Sequence, residues 1–155
     1  MITTVSPTEE QTALAKKKAK DMGSIKNSIT KGEGNVSGFI SEIVVSEVFN
    51  ARYTPCKDYD LVLPTGETID VKAKRTTVYP KDYYECSIAK TSLHQKCDMY
   101  FFTRYDERNN LLYLLGGVYQ DDFFKKAKFL KKGQKDGDNG FIVKADCYNL
   151  AIKDL

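Results

Sequence analysis

The chain predicts a mixed α/β domain, a central mixed sheet flanked by helices. Three observations lead there. A strongly apolar run, VSGFISEIVVSEVF (residues 36–49), is long enough for a buried helix. Two strand-like runs, YDLVL (59–63) and ETIDVKAK (67–74), are joined by the turn triplet PTG. Beyond them the chain is mostly strand, rich in aromatic and β-branched residues, until a short amphipathic helix near its end. At 155 residues it is the size of one domain with a substantial core.

Each element has a local cause. In the first segment, Ser6 is placed as the N-cap, Pro7 as the first helical residue and Glu9 as the closing member of a capping box; Gly23 stops the helix. Its lysine run AKKKAK sits near the end, where cations complement the helix dipole. It forms either a solvated face or a phosphate-contacting arm. The loop KGEGN (31–35) lacks the lysine and hydroxyl of a phosphate-binding P-loop and reads as a connector. The apolar helix that follows carries two acids, Glu42 and Glu47, about 140° apart around the axis, so only one can face a given site. Glu47 falls within the stripe of Val36, Ile40, Ile43 and Val44, and Glu42 shares its side with Gly38, Ser46 and Phe49.

After the hairpin, YYECSIAK (83–90) reads as a third strand, SLHQK as a short turn or helix, and MYFFTRY as a buried strand. LLYLLGGV is a strand ending at Gly116-Gly117. DDFFKKAKFL is a helix with the stripe Phe123, Ala127 and Leu130; KKGQKDGDNG is a mobile loop; CYNLAIKDL is a final short strand. The organisation expected is a single domain over 1–155: an N-terminal basic helix (1–23), a catalytic core (34–105) and a strand-helix-strand extension (106–155).

Composition narrows the function. The net charge of +3 permits a nucleic-acid partner without requiring one. Four cysteines (Cys56, Cys86, Cys97, Cys147) show no short pairing and there is one histidine, His94, which argues against a zinc cluster and places His94 at the surface. Scattered thiols suit a reducing cytoplasm, mostly as small buried groups. No stretch reads as a signal peptide or a membrane span, so the expectation is an intracellular, cytoplasmic protein without a membrane partner.

The chemistry concentrates in the hairpin. Asp60 opens the first strand; Asp70 and Lys72, two apart on the second, share a face opposite Ile69, Val71 and Ala73. Hydrolysis of a phosphodiester needs an acidified water, charge on the phosphoryl oxygens and help for the leaving oxygen. Mg²⁺ offers all three where the protein gives it oxygen ligands and leaves positions open. Asp60 and Asp70 are the natural ligand pair, and Lys72 would orient or activate the water. Lys74 shares that face and could hold a flanking phosphate, with Arg75 a further DNA contact on the other parity. Asp58 is either an auxiliary ligand or a loop-end acid. The plain alternative for the trio is a cross-strand ion pair on a solvated sheet face. Against it, Asp70-Val71-Lys72 is the single acid-x-lysine triplet in the chain, and it lies on a strand behind a glutamate-bearing helix.

Asp60, the spacer LVLPTGETI and Asp70-Val71-Lys72 together resemble the PD-(D/E)xK nuclease superfamily, the restriction-endonuclease-like enzymes. Tyr59 stands where that motif usually has proline, and the second acid is aspartate. The stretch from IDVKAKRTT to LLGGVYQDDFF is similar to small phage-type endonucleases of the superfamily. The resemblance implies an α-β-β-β-α-β core and Mg²⁺ (with Mn²⁺ as a substitute) held by Asp60, Asp70 and the Val71 carbonyl. It further implies a helical acid in a G-x-x-x-E setting, matched by Gly38 to Glu42, with Glu47 in reserve, and in some branches a glutamine near Gln95. The expected function is a Mg²⁺-dependent DNA endonuclease acting on double-stranded DNA, with cleavage of both strands requiring a homodimer or two visits. A branched-DNA (Holliday-junction) resolvase of the same superfamily and a non-catalytic DNA-binding protein that keeps the fold are the rivals.

Overall fold

The computed structural model describes residues 1–22 and 34–155. The expected helix stop at Gly23 and the start of the KGEGN connector lie outside the described residues. The chain is a mixed α/β fold built on two sheets.

The larger sheet is six-stranded and mixed. Its strands are β1 (Thr3–Val5), β2 (Arg52–Tyr53), β3 (Leu61–Val62), β4 (Thr68–Arg75), β6 (Met99–Asp106) and β7 (Leu111–Tyr119), in the order β1-β7-β6-β4-β3-β2. β4 and β6 run parallel in register Asp70↔Tyr100 and Lys72↔Phe102; the other neighbours are antiparallel. The smaller sheet, β5 (Glu85–Ala89), β8 (Lys128–Leu130) and β9 (Cys147–Ala151), is antiparallel in the order β5-β9-β8.

Strand alternation sorts the large sheet's side chains into two cores. On one face Ile69, Val71, Phe101, Leu112 and Leu114 meet Ile40, Ile43 and Val44 of helix α2 (Gly34–Val48). These α2 residues recur at three and four positions, one face of a helix, and Ile40 is wholly buried, worth about 1.5–3 kcal/mol. On the other face Tyr100, Phe102, Tyr113, Leu115 and Val118 meet Cys86 and Ile88 of β5, Leu150 of β9 and Phe123 of helix α3 (Gln120–Lys126). The rotation of α2 is fixed by a buried relay: Thr103 Oγ donates to Ser41 Oγ at 2.7 Å, which donates to the Ser37 carbonyl at 2.7 Å.

Several sequence expectations change in detail. Helix α1 (Glu9–Met22) begins later than the Ser6/Glu9 cap implied. Thr8 and Gln11 form the capping box instead, Thr8 N–H donating to Gln11 Oε1 at 2.8 Å and Gln11 N–H to Thr8 Oγ at 3.1 Å. Upstream, the β-branched run Thr3–Val5 adds to β7. YYECSIAK does not follow the hairpin into the large sheet: β5 pairs with the chain's last strand, and a single 3₁₀ turn (Lys90–Ser92) follows it. Gly116-Gly117 does not end β7. A register shift opposite Phe102/Thr103 is absorbed at Gly116, whose φ of +143° suits glycine, and a Cβ at Gly117 would stand 3.1 Å from the Phe101 ring. The helical stripe ending at Leu130 is broken at Ala127, which is extended, because Lys128–Leu130 pairs with β9 while buried Phe123 stacks on Phe102 at 5.7 Å.

The charged loop 131–140, expected to be mobile, is pinned. Asp136 is buried; it accepts from Asn149 Nδ2 at 2.9 Å and the Asp138 N–H at 2.9 Å, and pairs with Lys128 at 2.5 Å. Asn139 Nδ2 donates to Glu85 Oε2 at 2.9 Å. All four cysteines are free thiols; three are buried and Cys56 is exposed. Among the described residues no helix is long and apolar enough to cross a membrane.

Replacing Asp136 by alanine strips acceptors from the Asn149 amide and the Asp138 N–H. It should lower unfolding free energy by about 1–3 kcal/mol in a urea titration and open the lysines of 131–135 to trypsin. A loss below about 0.5 kcal/mol with unchanged proteolysis would contradict the pinned loop.

Candidate active site

The site forms where β3 begins beside β4. Asp60 immediately precedes β3, and its backbone N–H donates to the Ile69 carbonyl at 2.9 Å. The next bond of the ladder is made by a side chain: Asp60 Oδ2 accepts the Val71 N–H at 2.8 Å. In a strand the N–H and C=O of one residue point to the same edge, so the Val71 carbonyl is directed to the space beside Asp60. Three carboxyls converge here. Asp70 stands close enough to share a hydrogen bond with Asp60, and Glu42, from α2, is near enough to act on both electrostatically.

Asp70 is 5% exposed. Its Oδ2 lies 2.7 Å from Lys72 Nζ, yet that buried oxygen accepts no well-aimed hydrogen bond. The contact is a close charge pair with poor alignment, and it leaves lone pairs on Oδ2 unused. Lys72 Nζ is instead aimed at Gln95 Oε1 at 2.9 Å, and Gln95 is tied to the fold through its own carbonyl, which accepts from Gln120 Nε2 at 3.0 Å. Gln120 also donates to the Tyr100 hydroxyl at 2.8 Å. On the far side, Tyr53 OH donates to Glu42 Oε2 at 2.6 Å, and Lys18 of α1 stands 4.8 Å over the Tyr53 ring. Lys18, Glu42, Tyr53 and Asp60 border one cavity of about 490 Å³.

These neighbours set the charge of the site. Burial, then the charges of Glu42 and Asp70, push the Asp60 carboxyl up to about 8, against the pull of the Val71 N–H. Burial likewise raises Glu42, with the Asp70 charge adding to it, while the Tyr53 hydroxyl and the Lys18 charge oppose it. Burial and the Asp70 carboxylate push the nearby Cys97 thiol up to about 12, so it offers no thiolate at neutral pH. Three carboxyls in so small a space either hold protons or share a cation.

No family model matches this chain, and no curated protein matches it either. The chemistry of the site therefore rests on its own geometry.

The structure separates the two helical acids that the sequence leaves open. Glu42 faces Asp60 and Asp70, whereas Glu47 accepts from Gln11 Nε2 at 2.5 Å, bracing α2 to α1. Lys74 shares the face of Lys72, but its ammonium is ion-paired with Glu85, which also receives Arg104, and it stands 5.3 Å from the Phe141 ring. Arg75 ends β4, exposed, at a different cavity. Asp58 accepts the Lys96 N–H at 3.3 Å as a loop-closing acid, and His94 is exposed. Tyr53 and Lys18 were not singled out by sequence: β2 is two residues long and gives no periodic signal, and Lys18 is one of several lysines in its run.

Among the described residues, no three acidic, histidine or cysteine side chains close into a ready-made cation cage. Mg²⁺ does not need one, since it keeps several waters and commonly takes one or two carboxylates from the protein. The unused Asp70 Oδ2, the neighbouring Asp60 carboxyl and the adjacent Val71 carbonyl are an all-oxygen donor set that suits it.

Asp60 keeps its proton in the folded chain to about pH 8 and releases it near pH 4 when unfolded. Between those values the folded state binds the extra proton, so the stability of the metal-free protein should fall as pH rises from about 4 to about 8. Asp60→Asn should flatten that slope in thermal melts in EDTA. Mg²⁺ should raise the melting temperature more at pH 8 than at pH 5.5, because at low pH it competes with the proton. A melting temperature independent of pH over this range, in wild type as in the variant, would contradict the carboxyl cluster.

Proposed function

We propose that this chain is a Mg²⁺-dependent DNA endonuclease with a PD-(D/E)xK-type site. The observation that carries the reading is the convergence of the Glu42, Asp60 and Asp70 carboxyls at the start of β3, with Lys72 held beside them by Gln95. A surface ion pair needs no such gathering of buried acids, and burying charges unpaired costs several kcal/mol each. The order α2-β2-β3-β4, then β6 parallel to β4, supports an assignment to the α-β-β-β-α-β core of that superfamily. β5 and one 3₁₀ turn stand where the family has its second helix.

Asp60, Asp70 and the Val71 carbonyl would hold the ion, with Glu42 completing the set directly or through water. When bound, Mg²⁺ or Mn²⁺ supplies positive charge to the phosphoryl oxygens and makes water more acidic. Lys72 is placed to orient the attacking water, because Gln95 fixes its ammonium next to Asp70. Water oxygen bonds to phosphorus as the bond to the 3′ oxygen breaks. The proton the water loses passes to solvent, the departing 3′ oxygen takes one from solvent, and a 5′-phosphate remains. Tyr53 keeps Glu42 aimed and half shielded, and Lys18 adds positive charge at the mouth of the site. Lys74 contributes little to phosphate binding while Glu85 holds it, which shifts that role to the exposed lysines of α1. Nicking both strands of a duplex requires a homodimer or successive encounters.

Purified protein with Mg²⁺ should nick and linearise supercoiled plasmid. Asp70→Ala and Lys72→Ala should each lower the rate by about 10²–10⁴-fold while retaining DNA binding in a mobility-shift assay. Cutting by Asp70→Ala at the wild-type rate would refute the assignment.

Gln95→Ala should give a smaller loss, about tenfold, because Lys72 keeps its charge and loses only its anchor. A rate equal to wild type would remove Gln95 from the site.

A further inference from the structure

A second cavity, of about 910 Å³, opens where β4 and β6 end, away from the carboxyl cluster. It is bordered by Arg75, Tyr84, Arg104, Glu107, Arg108 and Phe141. Its floor is built rather than incidental. Arg104 is buried, stacks 5.2 Å over the Tyr84 ring and donates through Nη2 to the Glu85 carbonyl at 2.9 Å, while its Nε is buried without a partner. At the rim stands Phe141, 42% exposed. A large exposed aromatic on a loop would ordinarily collapse onto the surface, but this loop is held in place. Phe141 N–H donates to Asn139 Oδ1 at 2.9 Å, its carbonyl accepts the Asp136 N–H at 2.8 Å, and Asn139 docks on Glu85. The lining thus pairs a preset aromatic face with guanidinium groups.

That combination matches one chemistry: a nucleotide, with a planar base to stack and a phosphate to take an arginine fork. Glu107 adds an acceptor of the kind that reads an exocyclic amino group. Position ties the cavity to the site. Arg75 lies five residues along β4 from Asp70, about 17 Å at the rise of a strand, which corresponds to about five base steps of nucleic acid. We propose that this cavity binds an unpaired nucleotide of the DNA strand flanking the cleavage point, its base on Phe141 and its phosphate on Arg75 and Arg108. The inference rests on the nuclease reading for the identity of the strand, and on the cavity's own geometry for the nucleotide chemistry.

The test measures binding with cleavage disabled. A fluorescein-labelled 12-nucleotide deoxycytidine oligomer is titrated with the full chain in EDTA, beside the same length of duplex and free dCMP as competitor. Wild type should prefer the single strand. Phe141→Ala, an exposed position, should weaken single-strand binding by about 5- to 100-fold, and Arg108→Ala should reduce the salt slope by about one. Absence of single-strand binding by wild type, or equal binding by Phe141→Ala and Arg108→Ala, overturns the pocket even if plasmid is cut. Single-strand binding that depends on Phe141, in a chain that never cuts DNA, upholds the pocket and removes the nuclease reading. Competition by dCMP as strong as by the oligomer would assign the cavity to a free nucleotide and overturn the flanking-strand proposal.

Discussion

One hydrogen bond organises this molecule: the Val71 N–H donated to the side chain of Asp60, where a strand would have supplied a carbonyl. That substitution ends the β3 ladder, turns a carboxyl inward along the edge of β4 and directs the Val71 carbonyl to the same gap. Everything around it accommodates the consequence. Asp70 faces Asp60 across the opening, Glu42 reaches in from α2, and three carboxyls share a partly buried space. The neighbouring cations and donors, Lys72, Lys18 and Tyr53, temper that repulsion without cancelling it, since Asp60 is still held at about 8.

The two cores explain why this crowding is tolerated. β4 is fixed through Ile69 and Val71 against α2, and its opposite face carries Asp70 and Lys72 toward the layer formed by β5, β9 and α3. A one-residue slip would bury Asp70 and Lys72 under α2 and turn Ile69 and Val71 away from it, so the packing that stabilises the fold also sets the position of the acids. The Thr103–Ser41–Ser37 relay does the same for α2 and hence for Glu42.

Legibility in the sequence followed the length of the signal. The apolar helix, the second hairpin strand and the buried strand at Met99–Asp106 have strong patterns and the structure places them as read, whereas YDLVL keeps only Leu61–Val62 as strand because the Asp60 side chain takes the Val71 N–H. The helical acid did not follow from periodicity, because Glu42 and Glu47 differ only in what lies opposite them; packing against Gln11 claims Glu47. β5 reads correctly as a strand, but its partner is sixty residues away and no local pattern could name it. The charged loop 131–140 has the composition of a mobile segment. Its order comes from side chains with distant partners: buried Asp136, held by Lys128 and Asn149 of other strands, and Asn139, which reaches Glu85. Lys74 illustrates the opposite error: parity put it on the face of the site, and only the distant Glu85 shows that its charge is already engaged.

The proposed nuclease activity requires that the chain's own oxygens at Asp60, Asp70 and Val71 share a divalent cation. The most direct measurement is electron paramagnetic resonance of Mn²⁺ titrated into the metal-free protein, with Asp60→Ala and Asp70→Ala as comparisons. The prediction is saturable loss of the free-ion signal in wild type, competed by Mg²⁺ and abolished in both variants. Mn²⁺ binding that is absent in wild type, or that persists unchanged without Asp60 and Asp70, would contradict it.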